Sequence, residues 1–444
     1  MKKINYIKIT FLISFFLLLL STHESMAGWT VITEDPVKDN GYIALTAINR
    51  DSAAVIGIAN SAYILKRTDD GGQTWDDMTY TGELLLPLFM TIHFRDQTHG
   101  WMGGLGAIYY TEDGLNFSEV QIPGEWFGPI PLTTIRIVKS YSLEDGIAVG
   151  DSSSMSGETT RLFLTTNDGG HSWEKIETGI NLPINGLDIV DDNHTWMIGA
   201  NGYDLDGDDW PDRYDTGTIF FSDNRGVEWR EVIGGLGYGL QTVDFLDEQR
   251  GWVIGTDGSN PKILITQDGG NSWSSIDPGS IGIPSDTDEL LYIKLFSMCE
   301  IWLIGHRKAG DSIRDLFLHS IDGGNTFVEE FDYEGPSVMF AYDFADRTRG
   351  WAGGAYLTLL RYDAETGDPG NDCTFPEGTP VGVTEESEEL VEELSPIEEE
   401  VLETVEEGFE EAIAEVVEEG GDDADGDTVS GKVSEEGCSC NLIN

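Results

Sequence analysis

TDDGGQTW at Thr68 to Trp75, TNDGGHSW at Thr166 to Trp173 and TQDGGNSW at Thr266 to Trp273 are three copies of one phrase. Looser copies stand at Thr111 to Phe117 (TEDGLNF), Ser222 to Trp229 (SDNRGVEW) and Ser320 to Phe327 (SIDGGNTF). A second phrase alternates with it: GWMGG from Gly100, TWMIG from Thr195, GWVIG from Gly251, IWLIG from Ile301 and GWAGG from Gly350. Self-similarity at about 45–55 residues marks a radially repeated β fold. Each DGG phrase follows a short β-prone run, such as RLFLT from Arg161, and precedes another, so it reads as a hairpin turn. Its glycines supply positive φ, and its aspartate (Asp168 in the second copy) is expected to be a buried acceptor for turn amides. The closing Trp or Phe supplies an apolar anchor against the neighbouring sheet. The GW phrase, apolar on both sides, takes the second strand of each repeat.

Second-strand centres fall near Ile56, Trp101, Val149, Trp196, Trp252, Trp302 and Trp351, which gives seven repeats. The seventh has three strands (Phe340 to Phe344, Gly350 to Gly354, Tyr356 to Tyr362) and no fourth after Asp363. GWTVIT from Gly28 has the pattern of the missing strand. The expected fold is therefore all-β: a seven-bladed β-propeller over 28–363, with four-stranded antiparallel blades. The N-terminal strand is expected to pair with Tyr356 to Tyr362 and close the ring, which leaves no long open edge.

The pattern Ser/Thr-x-Asp-x-Gly-x-Thr/Ser-Trp resembles the Asp-box, or BNR repeat. That repeat is shared by sialidases, xyloglucanase-type glycosidases and the photosystem II assembly and stability factor family. The combined cadence of the two phrases is most similar to the last. The resemblance implies a propeller acting as a protein-binding or assembly scaffold, and it fixes no chemistry. The Asp boxes read as turn braces rather than binding sites.

Residues 1–27 read as a secretory signal peptide. Lys2 and Lys3 precede an apolar run from Ile9 to Leu20, and Ser25-Met26-Ala27 fits the small-x-small cleavage pattern. The protein is thus expected to be exported, to the periplasm, the cell surface or the medium. The mature chain is expected to have no membrane span, since no other segment is long and apolar enough. The formal charge is −56, and 27 acids stand against one base after Ala364. Nucleic acid and anionic lipid are poor partners for such a chain; calcium or a basic protein surface fits better.

Residues 364–383 read as a linker, 384–420 as an acidic amphipathic segment that is helical or disordered, and 421–444 as a disordered acidic C-terminus ending in Cys-Ser-Cys. Ser395-Pro396-Ile397-Glu398 is a capping box, and Leu390, Leu394, Ile397, Val401, Val405, Phe409, Ile413 and Val416 recur at helical steps. A spacer and a partner-binding helix both remain open readings, and glutamate repulsion opposes an isolated helix. GCSC at Gly437 to Cys440 resembles the Cys-bearing C-terminal sorting signals of myxobacterial type, which implies surface anchoring. The hydrophobic helix and basic residues that follow in such signals are missing here. Of the other two cysteines, Cys299 falls near the second strand of blade six and Cys373 just past the propeller; their pairing cannot be read from sequence.

One stretch has metal-ligand spacing. Asp204, Asp206, Asp208, Asp212 and Asp215 occupy positions 1, 3, 5, 9 and 12 of a twelve-residue loop, with the Trp210 carbonyl at position 7. That is the oxygen set of an EF-hand-type Ca²⁺ loop. Position 6 is Asp209 rather than glycine, position 12 is the shorter acid, and the flanks are strands. A bound Ca²⁺ is the expected cofactor; the alternative is a solvated acidic loop.

Insertions between second and third strands (Asp151 to Thr160, Asn201 to Thr216, Thr256 to Pro261, His306 to Asp315) would raise a rim on the face opposite the Asp turns. Trp126, Phe127, Trp210 and Tyr238 are the candidate partner contacts there, for a protein or a glycan. Catalysis has little support. A sialidase would need an arginine triad, whereas Arg250, Arg347 and Arg349 fall in hairpins of the Asp-turn face. The seven histidines lack ligand spacing. A two-carboxylate glycosidase stays open, because carboxylate separation is invisible in a sequence.

Overall fold

The GW runs are buried from end to end: Gly100–Gly104, Thr195–Gly199 and Gly251–Thr256 have no exposed residue. Such a strand needs a neighbour on each edge and a layer on each face. The computed structural model supplies both. It describes residues 28–381 except 35–36, 38–39, 83–87, 125, 128–129, 204–212, 215, 259, 310–311, 332, 334–337 and 365–369. The GW run is the second strand of an antiparallel sheet, and seven such sheets form the blades of a propeller. The innermost strands of blades one to seven are Gly41–Ala47, Phe89–Phe94, Thr133–Ser140, Ile184–Ile189, Gly239–Phe245, Thr287–Leu295 and Met339–Asp346.

The ring closes through the N-terminal strand. Gly28–Thr33 pairs antiparallel with Leu359–Asp363, Trp29 opposite Tyr362 and Val31 opposite Leu360. The partner strand is shorter than expected. Tyr356 and Leu357 adopt left-handed φ of 56° and 47° and make the turn before it. Two expected rim loops are ladder extensions instead. Blade three stays paired out to Ser153 opposite Thr159, and blade six out to Ala309 opposite Ser312. Blades two and five carry a fifth strand. Thr79–Thr81 adds parallel to Asn116–Gln121, and Thr379–Val381 adds antiparallel to the outer strand Trp273–Ile276.

That last strand comes from the stretch read as a linker. Cys373 is disulfide-bonded to Cys299 in a hairpin of blade six, and Phe375 is buried edge-on against Trp252, centroids 5.6 Å apart. The chain forms two compact units, Met1–Gly382 and Val383–Asn444. The second unit lies outside the described residues, and with it the amphipathic segment and Cys438 and Cys440. So does the signal peptide.

Packing between blades repeats one contact. In the five blades whose second strand carries a tryptophan, that side chain is fully buried and meets, edge to face, an aromatic on the outer strand or turn of the next blade. Trp101 meets Trp173 at 5.2 Å, Trp196 meets Trp273 at 5.9 Å, Trp351 meets Trp75 at 5.9 Å, and Trp252 meets Phe327 at 6.3 Å. Blade seven has no Asp turn, and Trp29 of the closing strand takes Trp302 at 6.0 Å. Gly170 has to be glycine on two counts. Its φ is 90°, and a Cβ there would sit 2.1 Å from the Trp101 indole nitrogen.

Every innermost strand carries a β-bulge near its rim-side end. Ile43, Met90, Arg136, Asn185, Gln241, Leu291 and Phe340 are the extra residues. A bulge leaves one residue unpaired and turns its side chain out of the pleat.

Candidate partner-binding face

The turns fix which face is free for a partner. In the Asp turn of blade three, Thr166 Oγ1 donates to Asp168 Oδ1 and accepts the Gly170 amide. The Ser172 amide and hydroxyl both donate to the Asp168 carboxylate, at 3.0 and 2.6 Å. Burial pushes this carboxyl upward, but the Ser172 and Thr166 donors outweigh it and hold it down at about 2. The side chain is exposed rather than buried as expected. Blades one, five and six repeat the arrangement at Asp70, Asp268 and Asp322. These carboxylates are consumed by their own turns.

The loops that join second to third strands and one blade to the next lie on the opposite face. Gly202–Tyr203 pairs antiparallel with Arg213–Tyr214, which brings together the two ends of the acidic insertion of blade four. Asp204, Asp206, Asp208, Trp210, Asp212 and Asp215 lie outside the described residues. Trp126–Phe127 pairs with Ile130–Pro131 in a small ribbon between blades two and three, and their side chains lie outside the described residues. Tyr238 is half-buried in the core of blades four and five, with Lys262 6.0 Å above its ring. Burial pushes its phenol up to about 12. Its carbonyl accepts the Gly217 amide at 3.0 Å, so it braces the foot of the insertion.

The sequence reading missed the channel. The residue opposite each second-strand Trp position is polar on every innermost strand: Thr46, His93, Lys139, Asp188, Asp244, Lys294 and Asp343. Five of these side chains hydrogen-bond across to a neighbouring blade. Asp188 accepts the Phe245 amide of the next blade at 2.7 Å, Asp244 that of Leu295 at 2.6 Å, and Asp343 that of Ala47 at 2.9 Å. They satisfy donors on inner edges that have no strand partner. Lys294 Nζ donates to Asp244 Oδ1 at 2.6 Å. Burial works against its ammonium, but Asp244, Asp188 and Asp343 raise its pKa and keep it charged. Burial likewise raises the Asp244 carboxyl, to about 6, against the pull of Lys294. Burial drives His93 down to about 3, helped by Lys139 and Arg95, so it stays neutral. The signal was legible as a single charged or histidine residue between apolar ones in IHF, LDI, VDF, IKL and YDF.

Among the described residues no arginine triad assembles. Arg250 pairs with Asp247, Arg347 with Glu300 at 2.6 Å and Arg349 with Asp363 at 2.9 Å, each on the Asp-turn face. Among the described residues Asp191, His194 and Glu248 bring three ligand atoms within 4.8 Å of one another. The Asp191–His194 contact recurs as Asp96–His99 and Asp247–Arg250 in other blades. An arginine in the histidine's place marks the pair as a hairpin brace. No helix among the described residues is long and apolar enough to cross a membrane.

No family model matches the chain. It is similar to the photosystem II assembly lipoprotein Ycf48 of Synechococcus sp. (strain CC9902), 26% identical over 280 residues, which is 53% of this chain and 75% of the relative. Among solved structures it resembles YCF48 bound to D1 peptide, with a TM-score of 0.54 and 19% identity over 77% of this chain and 98% of that one. YCF48 from Cyanidioschyzon merolae gives a TM-score of 0.52 and 15% identity over 77% and 100%. A GH74 xyloglucanase from Xanthomonas campestris gives 0.53 and 12% over 76% of this chain and 54% of the enzyme. These structural likenesses establish the propeller fold, and the sequence similarity points to the Ycf48 proteins.

Proposed function

We propose that this chain is an exported, non-catalytic Asp-box propeller that binds protein segments and serves as an assembly scaffold in the cell envelope. The observation that carries the reading is the sequence similarity to a photosystem II assembly lipoprotein, whose structural counterpart was solved with a peptide bound. Export is supported by the Cys299–Cys373 disulfide, since such bonds persist in oxidising compartments. The engagement of the arginines and Asp-turn carboxylates in local pairs supports the non-catalytic part. Within the same reading, Asp204, Asp206, Asp208, Asp212 and Asp215 with the Trp210 carbonyl hold Ca²⁺ and order the insertion of blade four. Trp126, Phe127, Trp210 and Tyr238 then belong to the partner-facing rim.

The test is cross-linking of the mature chain in envelope membranes of its source, read by mass spectrometry, beside a hydrolysis screen on polysaccharides. Cross-links to subunits of a membrane complex with no glycan cleavage are the expected result. Cleavage of a glucan at enzymatic rates would overturn it in favour of a glycosidase, the second reading that the fold shared with GH74 enzymes supports.

A further inference from the structure

The seven bulged residues do not share one chemistry. Phe340, Ile43 and Met90, on blades seven, one and two, are 59%, 38% and 42% exposed. Leu291 on blade six is half-buried. Their neighbours along the strand are buried: Met339 and Ala341 beside Phe340, Tyr42 and Ala44 beside Ile43, Phe89 beside Met90. The exposure therefore belongs to the bulge and not to the strand. An innermost strand meets solvent along the central channel, so these side chains stand at its rim-side mouth. They come from four consecutive blades and form one apolar arc that runs across the ring closure. Blades three to five complete the mouth with the polar Arg136, Asn185 and Gln241. None of the four apolar residues belongs to a hydrophobic core cluster. Exposed apolar groups gathered in one place without a packing role mark a contact surface.

The depth of the mouth is limited. Further down each strand stands the polar ring of Asp188, Asp244, Lys294 and Asp343, whose groups are held by neighbouring blades. An apolar insertion is welcome at the level of Phe340 and not below it. The occupant's charge follows from the body around the mouth. From Gly28 to Ala364 the chain has 53 acids against 21 bases, which draws in cationic segments and repels acidic ones.

We propose that the rim-side mouth of the channel is the docking site for a segment of a partner protein that seats one large apolar side chain on the arc of Phe340, Ile43, Met90 and Leu291 and carries lysine or arginine beside it. This rests on the reading of the protein as a protein-binding scaffold and places the contact at the axis rather than on the raised rim. A single aromatic or aliphatic anchor in such a depression supplies much of an interface's affinity.

The probe is a phage-displayed library of random heptapeptides, selected on the mature chain and then as synthetic consensus peptides. The variants are the double change Phe340→Asp with Met90→Asp, and the conservative Phe340→Leu. Both exposed positions leave the core intact, and unchanged thermal unfolding checks this. The expected result is enrichment of peptides with an aromatic or large aliphatic residue next to Lys or Arg. Their affinity should fall at least tenfold in the double variant and persist in Phe340→Leu. Enriched peptides that bind wild type and double variant equally would overturn the site while leaving the scaffold reading standing. Failure to enrich any peptide, together with glycan-array binding that the double variant loses, would overturn both.

Discussion

The last glycine of each GW phrase answers to a different strand from its own. A Cβ on Gly255 would lie 2.0 Å from the Gly239 carbonyl, on Gly305 2.1 Å from that of Glu289, and on Gly354 2.2 Å from that of Val338. In each case the carbonyl lies two residues before the bulged residue, in the innermost strand or immediately ahead of it. The glycine is the space the bulge needs, so Gly255→Ala should cost about 1–3 kcal/mol by overpacking, read as a lower urea midpoint. The phrase was legible as a buried strand because burial and periodicity are properties of the strand itself. The reason for its glycine was not, because it depends on the register of a partner sixteen residues upstream. The same holds in reverse for Asp168. Its acceptor role followed from the turn, but its exposure lowers the stakes. Asp168→Ala should cost about 1 kcal/mol, and a loss above 3 kcal/mol in thermal unfolding would mean that the turn does more than hold itself.

Where the second-strand tryptophan is missing, arginine takes over the brace. Blade one has Ala54 in that place, and Arg67 reaches across to the Gln97 and Gly114 carbonyls of blade two. Blade three has Ile147, and Arg225 in the turn of blade four pairs with Asp145 at 3.0 Å. Arg225 holds a left-handed φ of 62° where other turns have glycine. Blade six shows a third solution. Its turn closes with the smaller Phe327, and Phe375 from beyond the propeller adds a second ring against Trp252. The Cys299–Cys373 bond, 74 residues apart in sequence, pins that strap. Replacing Cys299 by serine should lower stability by about 2–4 kcal/mol and make the chain near Phe375 sensitive to protease. Limited proteolysis with and without reductant reads both. The strap escaped the sequence reading because three ordinary strand residues, Thr379 to Val381, carry no periodic signal. Their pairing is decided by an outer edge more than a hundred residues away.

Blade count and ring closure were both legible, since each rests on a pattern repeated around the ring. Single polar residues between apolar ones were legible on the innermost strands, but the channel they line was not, because the polar ring has one residue per blade and only the closed circle brings them together. Buried charge gives the protein a pH dependence of its own. His306 lies between Glu289 Oε1 at 3.2 Å and Asp315 Oδ1 at 3.4 Å. Burial pulls it down, but Asp315 and Glu289 prevail and raise it to about 9. A raised histidine stabilises the fold fully below its unfolded value of about 6.5. That contribution is lost as pH climbs through 9. Melting temperature should fall over that interval, and His306→Asn should flatten this part of the profile. Calcium should raise the melting temperature of the wild type, and the double change Asp204→Ala with Asp208→Ala should abolish that response without unfolding the blades; calorimetry at millimolar Ca²⁺ is the check.

The strand that closes the ring is the first part of the propeller to leave the ribosome and the last that can find its place. Gly28–Thr33 must wait until Leu359–Asp363 exists, so the molecule cannot mature blade by blade behind a moving front. Contacts of such sequence separation make for slow folding. A circular permutant that joins Asp363 to Gly28 through a short linker and opens the chain between Thr33 and Gly41 would make the last blade contiguous. It should reach the same structure faster, and in stopped-flow refolding the gain would measure how long the native order of strands holds the protein open.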